Sequence, residues 1–161
     1  MEQVRQASTD DIDRIGELMA DFVVDRATHR GADLLRPADG GEVWRVPTGA
    51  SLAAYIGDPT RLALVGTLDD WVAAMALCRV DADPGGCRGV LDVCFVEPGA
   101  REVGLGYLLL RRSLAWFTAQ GCTGVDGTAF PGDRMAKSFF ESAGFKARLL
   151  VMHLPIDGAV D

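Results

Sequence analysis

The stretch Val96-Glu97-Pro98-Gly99-Ala100-Arg101-Glu102-Val103-Gly104-Leu105-Gly106-Tyr107 constrains this chain more than any other. An apolar run from Gly89 to Val96 reads as a strand and ends against Pro98, which has no N–H to continue a ladder. Leu108, Leu109, Leu110, Leu114 and Phe117 then recur at helical spacing, predicting a helix over about 104–119 that Gly121 stops. A helix start leaves backbone N–H groups unpaired and carries partial positive charge. The two effects together make a site for phosphate oxygens. Gly104 and Gly106 remove the side chains that would hold a bulky phosphate away, and Arg101 adds a forked donor at the rim. A glycine pair alone would equally suit an ordinary tight turn. The order of strand, proline, arginine and G-x-G at a helix start is less common. It is neither the dinucleotide fingerprint, which needs G-x-G-x-x-G, nor the P-loop, since no G-K-[ST] appears, so a dinucleotide-dependent oxidoreductase is set aside.

The remaining pattern is mixed. Val4–Ala7 predicts a short strand, and the cap-forming cluster Ser8-Thr9-Asp10-Asp11 leads into a helix over about 11–27. Residues 29–47 form the least regular stretch, a long loop of the kind often used for binding. A short helix is expected at 51–56. Three strands follow at 61–68, 71–80 and 89–96, joined by turns at Asp69-Asp70 and Asp83-Pro84-Gly85-Gly86. Beyond the central helix lie a strand over 123–130, a helix over 133–142 capped by Gly144, and a last strand over 145–154. Only the later part alternates strand and helix. The fold class expected is therefore α/β (α+β), a mixed sheet with helices on both faces. The 161 residues suit a single domain over 1–155, with 156–161 as a frayed tail.

Here the chain resembles the GNAT family, the Gcn5-related N-acetyltransferases. Val96-x-Pro98-x-x-Arg101-x-x-Gly104-x-Gly106 is similar to that family's coenzyme A signature. Asp133-Arg134-Met135-Ala136-Lys137-Ser138-Phe139-Phe140-Glu141-Ser142-Ala143-Gly144-Phe145 is similar to its second motif, Asn-x-x-Ala-x-x-Leu/Phe-Tyr-Glu-x-x-Gly-Phe. Val4-Arg5-x-Ala7-x-x-x-Asp11 has the look of the family's opening strand and helix. The resemblance implies a sheet of six or seven strands, splayed between its fourth and fifth strands, with the pantetheine arm of acetyl-coenzyme A lying in the gap. It implies that Val103, Gly104, Leu105 and Gly106 hold the pyrophosphate through backbone N–H groups, with Arg101 at the rim. Phe95 and Val96 would bond the pantetheine amide or thioester oxygen, and Phe140 would sit beside the cofactor. The reaction implied is direct attack by an amine on the thioester, both substrates being bound together.

Such attack needs a free amine, so a carboxylate that accepts its proton is sought. Asp92 is the only carboxylate inside the apolar run of 89–96, and strand period puts Val90, Asp92, Cys94 and Val96 on one face. A catalytic base and an arginine-paired structural aspartate both fit it. Phe140 stands where the family often has a tyrosine that protonates the departing thiolate, and phenylalanine has no proton to give. Ser138, Cys94, Tyr55 or water are the substitutes, and a coenzyme-binding module without turnover is the rival reading. Asp133, where the family commonly has asparagine, is expected to turn outward as a helix cap.

His29 and His153 have no partner at readable spacing, and Trp44 either stacks on a substrate or pins its loop. The four cysteines show no close pair at metal or redox spacing and read as free thiols, mostly in the core; no metal is expected. The net charge of −7 argues against nucleic acid and suits a cationic acceptor such as a small-molecule or peptide amine. No stretch is long and apolar enough to span a bilayer, and Met1–Arg5 lacks a signal segment's pattern, so a cytoplasmic setting is expected. The resemblance leaves room for a homodimer.

Overall fold

The computed structural model describes residues 1–34, 36–37, 45–46, 49–154 and 156. Strand β1 (Glu2–Gln6) leads through a single 3-10 turn into helix α1 (Ile12–Arg26). Two-residue strands β2 (Arg36–Pro37) and β3 (Arg45–Val46) pair parallel with each other, and helix α2 (Gly49–Gly57) follows. Then come β4 (Arg61–Leu68), β5 (Trp71–Asp83), β6 (Gly86–Val96), α3 (Leu105–Ala119), β7 (Gly124–Gly127) and α4 (Arg134–Ser142).

The main sheet has five strands in the order β1-β4-β5-β6-β7. The first three pairings are antiparallel and the last, β6 with β7, is parallel. This is the expected mixed sheet. At the β4–β5 turn Leu68 pairs with Trp71, and both linking residues take positive φ, Asp69 at 47° and Asp70 at 66°. Such a turn matches the twist of the flanking strands, and aspartate tolerates it better than most residues.

Both faces of the sheet are covered. Ala63, Val65, Met75, Leu77, Val93 and Phe95 form one core with Ile15, Leu18 and Phe22 of α1 and with Leu52 and Tyr55 of α2. Leu62, Leu64, Ala74, Ala76, Cys78 and Leu91 form the other, under Leu105, Leu109, Leu110 and Phe117 of α3. Burial on both faces is why β4 reads as a continuous apolar run instead of an alternating one. Among the residues beneath α3, Gly66, Ala74, Ala76 and Gly89 are small, and α3 sits close over them. A Cβ built on Gly66 would lie 3.1 Å from Ala74 and 3.2 Å from Leu105, and one on Gly89 would fall 2.5 Å from the Phe117 ring.

Strands β5 and β6 run longer than expected, to Asp83 and from Gly86, and two foreseen strands fall short. The one foreseen over 123–130 has only four residues, Gly124–Gly127. The stretch 145–154, foreseen as a last strand, joins no ladder among the described residues, so the main sheet has five strands there instead of six or seven. Leu149, Leu150, Met152 and Leu154 are at least 71% exposed. An apolar run becomes a strand only where it finds a sheet edge, and β7 offers an edge of four residues. No helix among the described residues is long and apolar enough to cross a membrane. The tail from 157 onward and Pro155 lie outside the described residues.

Gly89→Val should force Phe117 out of its place and cost about 1–3 kcal/mol of stability, read as a lower urea midpoint. An unchanged midpoint would contradict the close packing of α3 on β6.

Candidate functional site

The end of β6 is fixed before the glycine loop begins. Glu97 donates its N–H to the Ala73 carbonyl at 2.9 Å. Its carboxylate accepts from Arg14 of α1 at 2.6 Å and from the Trp71 indole at 3.0 Å. Arg14 also donates to the Val72 carbonyl at 2.8 Å, and its guanidinium lies over the Trp71 ring. One 3-10 turn over Pro98–Ala100 then reverses the chain.

From there the backbone is built to leave donors free. Glu102 has φ 70° and Gly104 has φ 91°, and Gly104 is the N-cap of α3. The first helical bond runs from Leu108 to the Gly104 carbonyl at 3.0 Å. The N–H groups of Glu102, Val103, Gly104, Leu105, Gly106 and Tyr107 meet no acceptor among the described residues. Several donors at a helix start, with the helix dipole behind them, can bind an anion of phosphate type. A Cβ on Gly104 would meet nothing within 4 Å, so glycine is required there by φ and not by crowding. Leu105 turns inward and is buried, whereas Val103 faces solvent.

Beside this loop β6 has an open edge. Its ladder with β7 runs from Arg88–Gly124 to Leu91–Gly127 and stops, while β6 continues to Val96. Because Glu97 donates toward β5, alternation aims the backbone groups of Phe95 toward β5 as well, and those of Cys94 and Val96 toward the open edge. Arg101 agrees with this assignment, donating Nε to the Val96 carbonyl at 3.0 Å from the open side. Of the two residues expected to bond the pantetheine arm, Val96 turns its backbone groups toward the open edge, whereas Phe95 turns its own toward β5. The Phe95 ring is buried edge-on against Phe22, with centroids 5.8 Å apart.

Asp92 sits on a β-bulge. Leu77 pairs with Val93 and its neighbour Cys78 pairs with Leu91, so Asp92 is the one unpaired extra residue. The bulge breaks the period that would put Val90, Asp92, Cys94 and Val96 on one face. Asp92 turns toward α2, whereas Cys94 and Val96 pack under α3. Its Oδ1 accepts from Arg79 Nε at 3.0 Å and its Oδ2 from the Tyr55 hydroxyl at 3.3 Å. Arg79 is also paired with Asp81. Burial pushes the Asp92 carboxyl above its ordinary range, with Arg79 and Tyr55 pulling the other way. Burial likewise raises the Tyr55 phenol, and it pushes the Cys94 thiol up to about 12, so both keep their protons at neutral pH.

The second motif closes the far side. The Phe140 ring packs with Phe139 and Phe145 and covers Gly127, where a Cβ would fall 2.6 Å from it. Phe139 in turn lies 3.5 Å from a Cβ built on Gly106, so the two motifs touch. Asp133 caps α4, accepting from the Ala136 N–H at 2.9 Å. It does not turn outward as expected: it is buried and ion-paired with Arg26 of α1. The preceding residue, Asp25, accepts from Arg101 at 3.1 Å. The last turn of α1 therefore clasps both motifs at once. Nothing in the helical period of α1 marks Asp25 and Arg26 for this, because their partners are 76 and more residues away. His29 stacks on Phe130 beside the same junction, with centroids 6.4 Å apart. His153 is exposed, and Trp44 lies outside the described residues.

The family model described as the acetyltransferase (GNAT) family matches residues 29–145. A search of curated protein sequences finds no match. Among solved structures, the tetramutant of the BH1408 protein from Bacillus halodurans superposes with TM-score 0.78 at 16% identity, covering 96% of this chain and 99% of that one. An aminoglycoside acetyltransferase, meta-AAC0020, from an uncultured soil metagenomic sample, in complex with sisomicin, gives 0.70 at 14% identity, covering 97% and 95%. AAC(6')-Iy in complex with the bisubstrate analog CoA-S-monomethyl-acetylneamine gives 0.69 at 17% identity, covering 98% and 99%. At such identities the likeness to these structures is one of fold.

Arg26→Met should leave the Asp133 carboxylate buried without its cation and lower stability by about 3 kcal/mol in a denaturant titration. Arg26→Met with Asp133→Asn should recover much of that loss. Equal stability of Arg26→Met and the parent would show that the clasp contributes nothing.

Proposed function

The chain belongs to the GNAT acetyltransferase family, and from that premise we propose that residues 1–155 form one domain transferring an acetyl group from acetyl-coenzyme A to a primary amine of a small molecule or peptide. One observation carries the reading. Six consecutive N–H groups that meet no acceptor among the described residues open beside a strand edge that the β6–β7 ladder leaves unpaired, a pairing that suits a pyrophosphate joined to an extended amide-bearing arm. Gly104, Leu105 and Gly106, with Val103 and Glu102, would hold the pyrophosphate. Arg101 would stand at its rim, and Cys94 and Val96 would bond the pantetheine arm. Phe140 would line the gap between β6 and β7. When bound, acetyl-coenzyme A supplies an acyl thioester.

Asp92 is the base in this reading. Its burial raises its proton affinity toward that useful for accepting a proton from an ammonium group, directly or through water. Tyr55 and Arg79 hold both carboxylate oxygens in place. For the departing thiolate, Phe140 offers no proton. Tyr55 and Cys94 hold theirs tightly, and an alkyl thiol with a pKa near 8.5 can leave unprotonated at tolerable cost. A module that binds acyl-coenzyme A without turnover is the second reading, favoured by Phe140 alone.

Incubation with acetyl-coenzyme A and a panel of amines, with thiol release followed over time, separates the two. Release with at least one amine supports transfer, and binding with no release across the panel supports the silent module. Asp92→Asn should lower turnover about a hundredfold or more while coenzyme binding is retained. The rate of the parent should fall as pH drops and Asp92 takes up its proton, with a midpoint above the ordinary carboxylate value of about 4. An Asp92→Asn profile with the same midpoint and rate would sink the base assignment.

A further inference from the structure

Cys87 and Cys122 are 35 positions apart in sequence, and the fold brings their sulfurs to 3.2 Å. No sequence spacing marks them as a pair. Cys87 is the second residue of β6, and Cys122 lies between the end of α3 and the start of β7. Their nearness is imposed by the backbone. Cys122 donates its N–H to the Phe117 carbonyl at 3.0 Å, closing off α3. Thr123 donates to the Cys87 carbonyl at 3.0 Å, and the parallel ladder begins one residue later with Arg88 opposite Gly124. Two chain segments held this closely need little adjustment for a sulfur–sulfur bond, whose Cβ atoms sit about 3.5–4.5 Å apart.

The other two thiols are placed differently. Cys78 is fully buried and bonded to Ser113 at 3.3 Å, and burial pushes both it and Cys94 up to about 12. Thiolate, the form that attacks a disulfide, is scarce at both, and burial raises the Cys122 thiol to about 11 as well, so nearness and not acidity sets the Cys87–Cys122 pair apart. Cys87 and Cys122 are each only partly buried, as Cys94 is, and theirs are the two sulfurs that the fold brings together within reach of a small oxidant in solvent.

We propose that Cys87 and Cys122 form a reversible dithiol–disulfide site, closed by a low-molecular-weight disulfide such as glutathione disulfide. One cysteine thiolate attacks a glutathione sulfur and expels one glutathione thiol, leaving a mixed disulfide. The neighbouring cysteine thiolate then attacks the protein-bound sulfur and expels the second. Two protein thiols and one glutathione disulfide become one protein disulfide and two glutathione thiols, with no further oxidant. The new bond ties the start of β6 to the start of β7, at the closed end of the gap between them. The loop it closes contains the open half of β6, the glycine loop and α3, which restrains the unfolded chain and raises the melting temperature by several degrees. Asp92 and the glycine loop lie toward the other end of β6.

The test treats the full chain with glutathione disulfide at neutral pH, then counts thiols after unfolding and maps linked peptides without reduction. The site predicts a fall from four thiols to two, a peptide linking Cys87 with Cys122, and full recovery with dithiothreitol. Cys78→Ser with Cys94→Ser should still close the link, and Cys87→Ser or Cys122→Ser should abolish it. Four thiols remaining, glutathione adducts that never resolve, or links that join other cysteines or separate chains would overturn the proposal.

Discussion

Strands β6 and β7 share hydrogen bonds from Arg88–Gly124 to Leu91–Gly127 and then part, and the rest of the site depends on where that ladder stops. A strand that kept its partner to the end would have no free amides or carbonyls to offer. Two features hold the strands apart. The bulge at Asp92 adds a residue to β6 and bends it at the first position beyond the ladder. On the other side, the Phe140 ring fills the space over Gly127, where any side chain would collide with it. The open edge leads directly to Val96 and into the loop whose N–H groups meet no acceptor among the described residues.

The same bulge separates two kinds of chemistry along one strand. At the bulge the Asp92 side chain faces α2, where it meets Tyr55 and Arg79, while Leu91 just before it lies under α3. After it, Cys94 and Val96 turn their side chains under α3 while their backbone groups face the gap. A carboxylate thus lies on one face of the sheet and a row of backbone groups along its edge. Helix α1 secures the arrangement, with Arg14 fixing Glu97, Asp25 meeting Arg101, and Arg26 meeting Asp133.

The residues that announced the fold were those whose local pattern has one structural meaning. Proline after an apolar run, glycines opening a leucine stripe, and paired aspartates in a tight turn each act within a few residues, and each was legible. The predicted helices at 11–27, 104–119 and 133–142 match α1, α3 and α4 to within a residue or two. What was not legible depends on contacts distant in sequence. A bulge is a difference in count between two strands, so strand period alone assigned Asp92, Cys94 and Val96 to one face. Asp133 was expected to face solvent because its partner, Arg26, is on the first helix. Cys87 and Cys122 looked unrelated for the same reason. The stretch 145–154 has the composition of a strand, but composition does not supply an edge to pair with.

In the proposed function, the N–H groups at the start of α3 and the open edge of β6 together bind coenzyme A. Amide shifts in nitrogen-15-labelled protein, followed as coenzyme A is added, test it residue by residue. Coenzyme A should cause the largest changes at Glu102 through Tyr107 and at Cys94 and Val96, with little change along β1 and β4. Saturable binding whose largest changes lie elsewhere, or no binding at millimolar coenzyme, would contradict it.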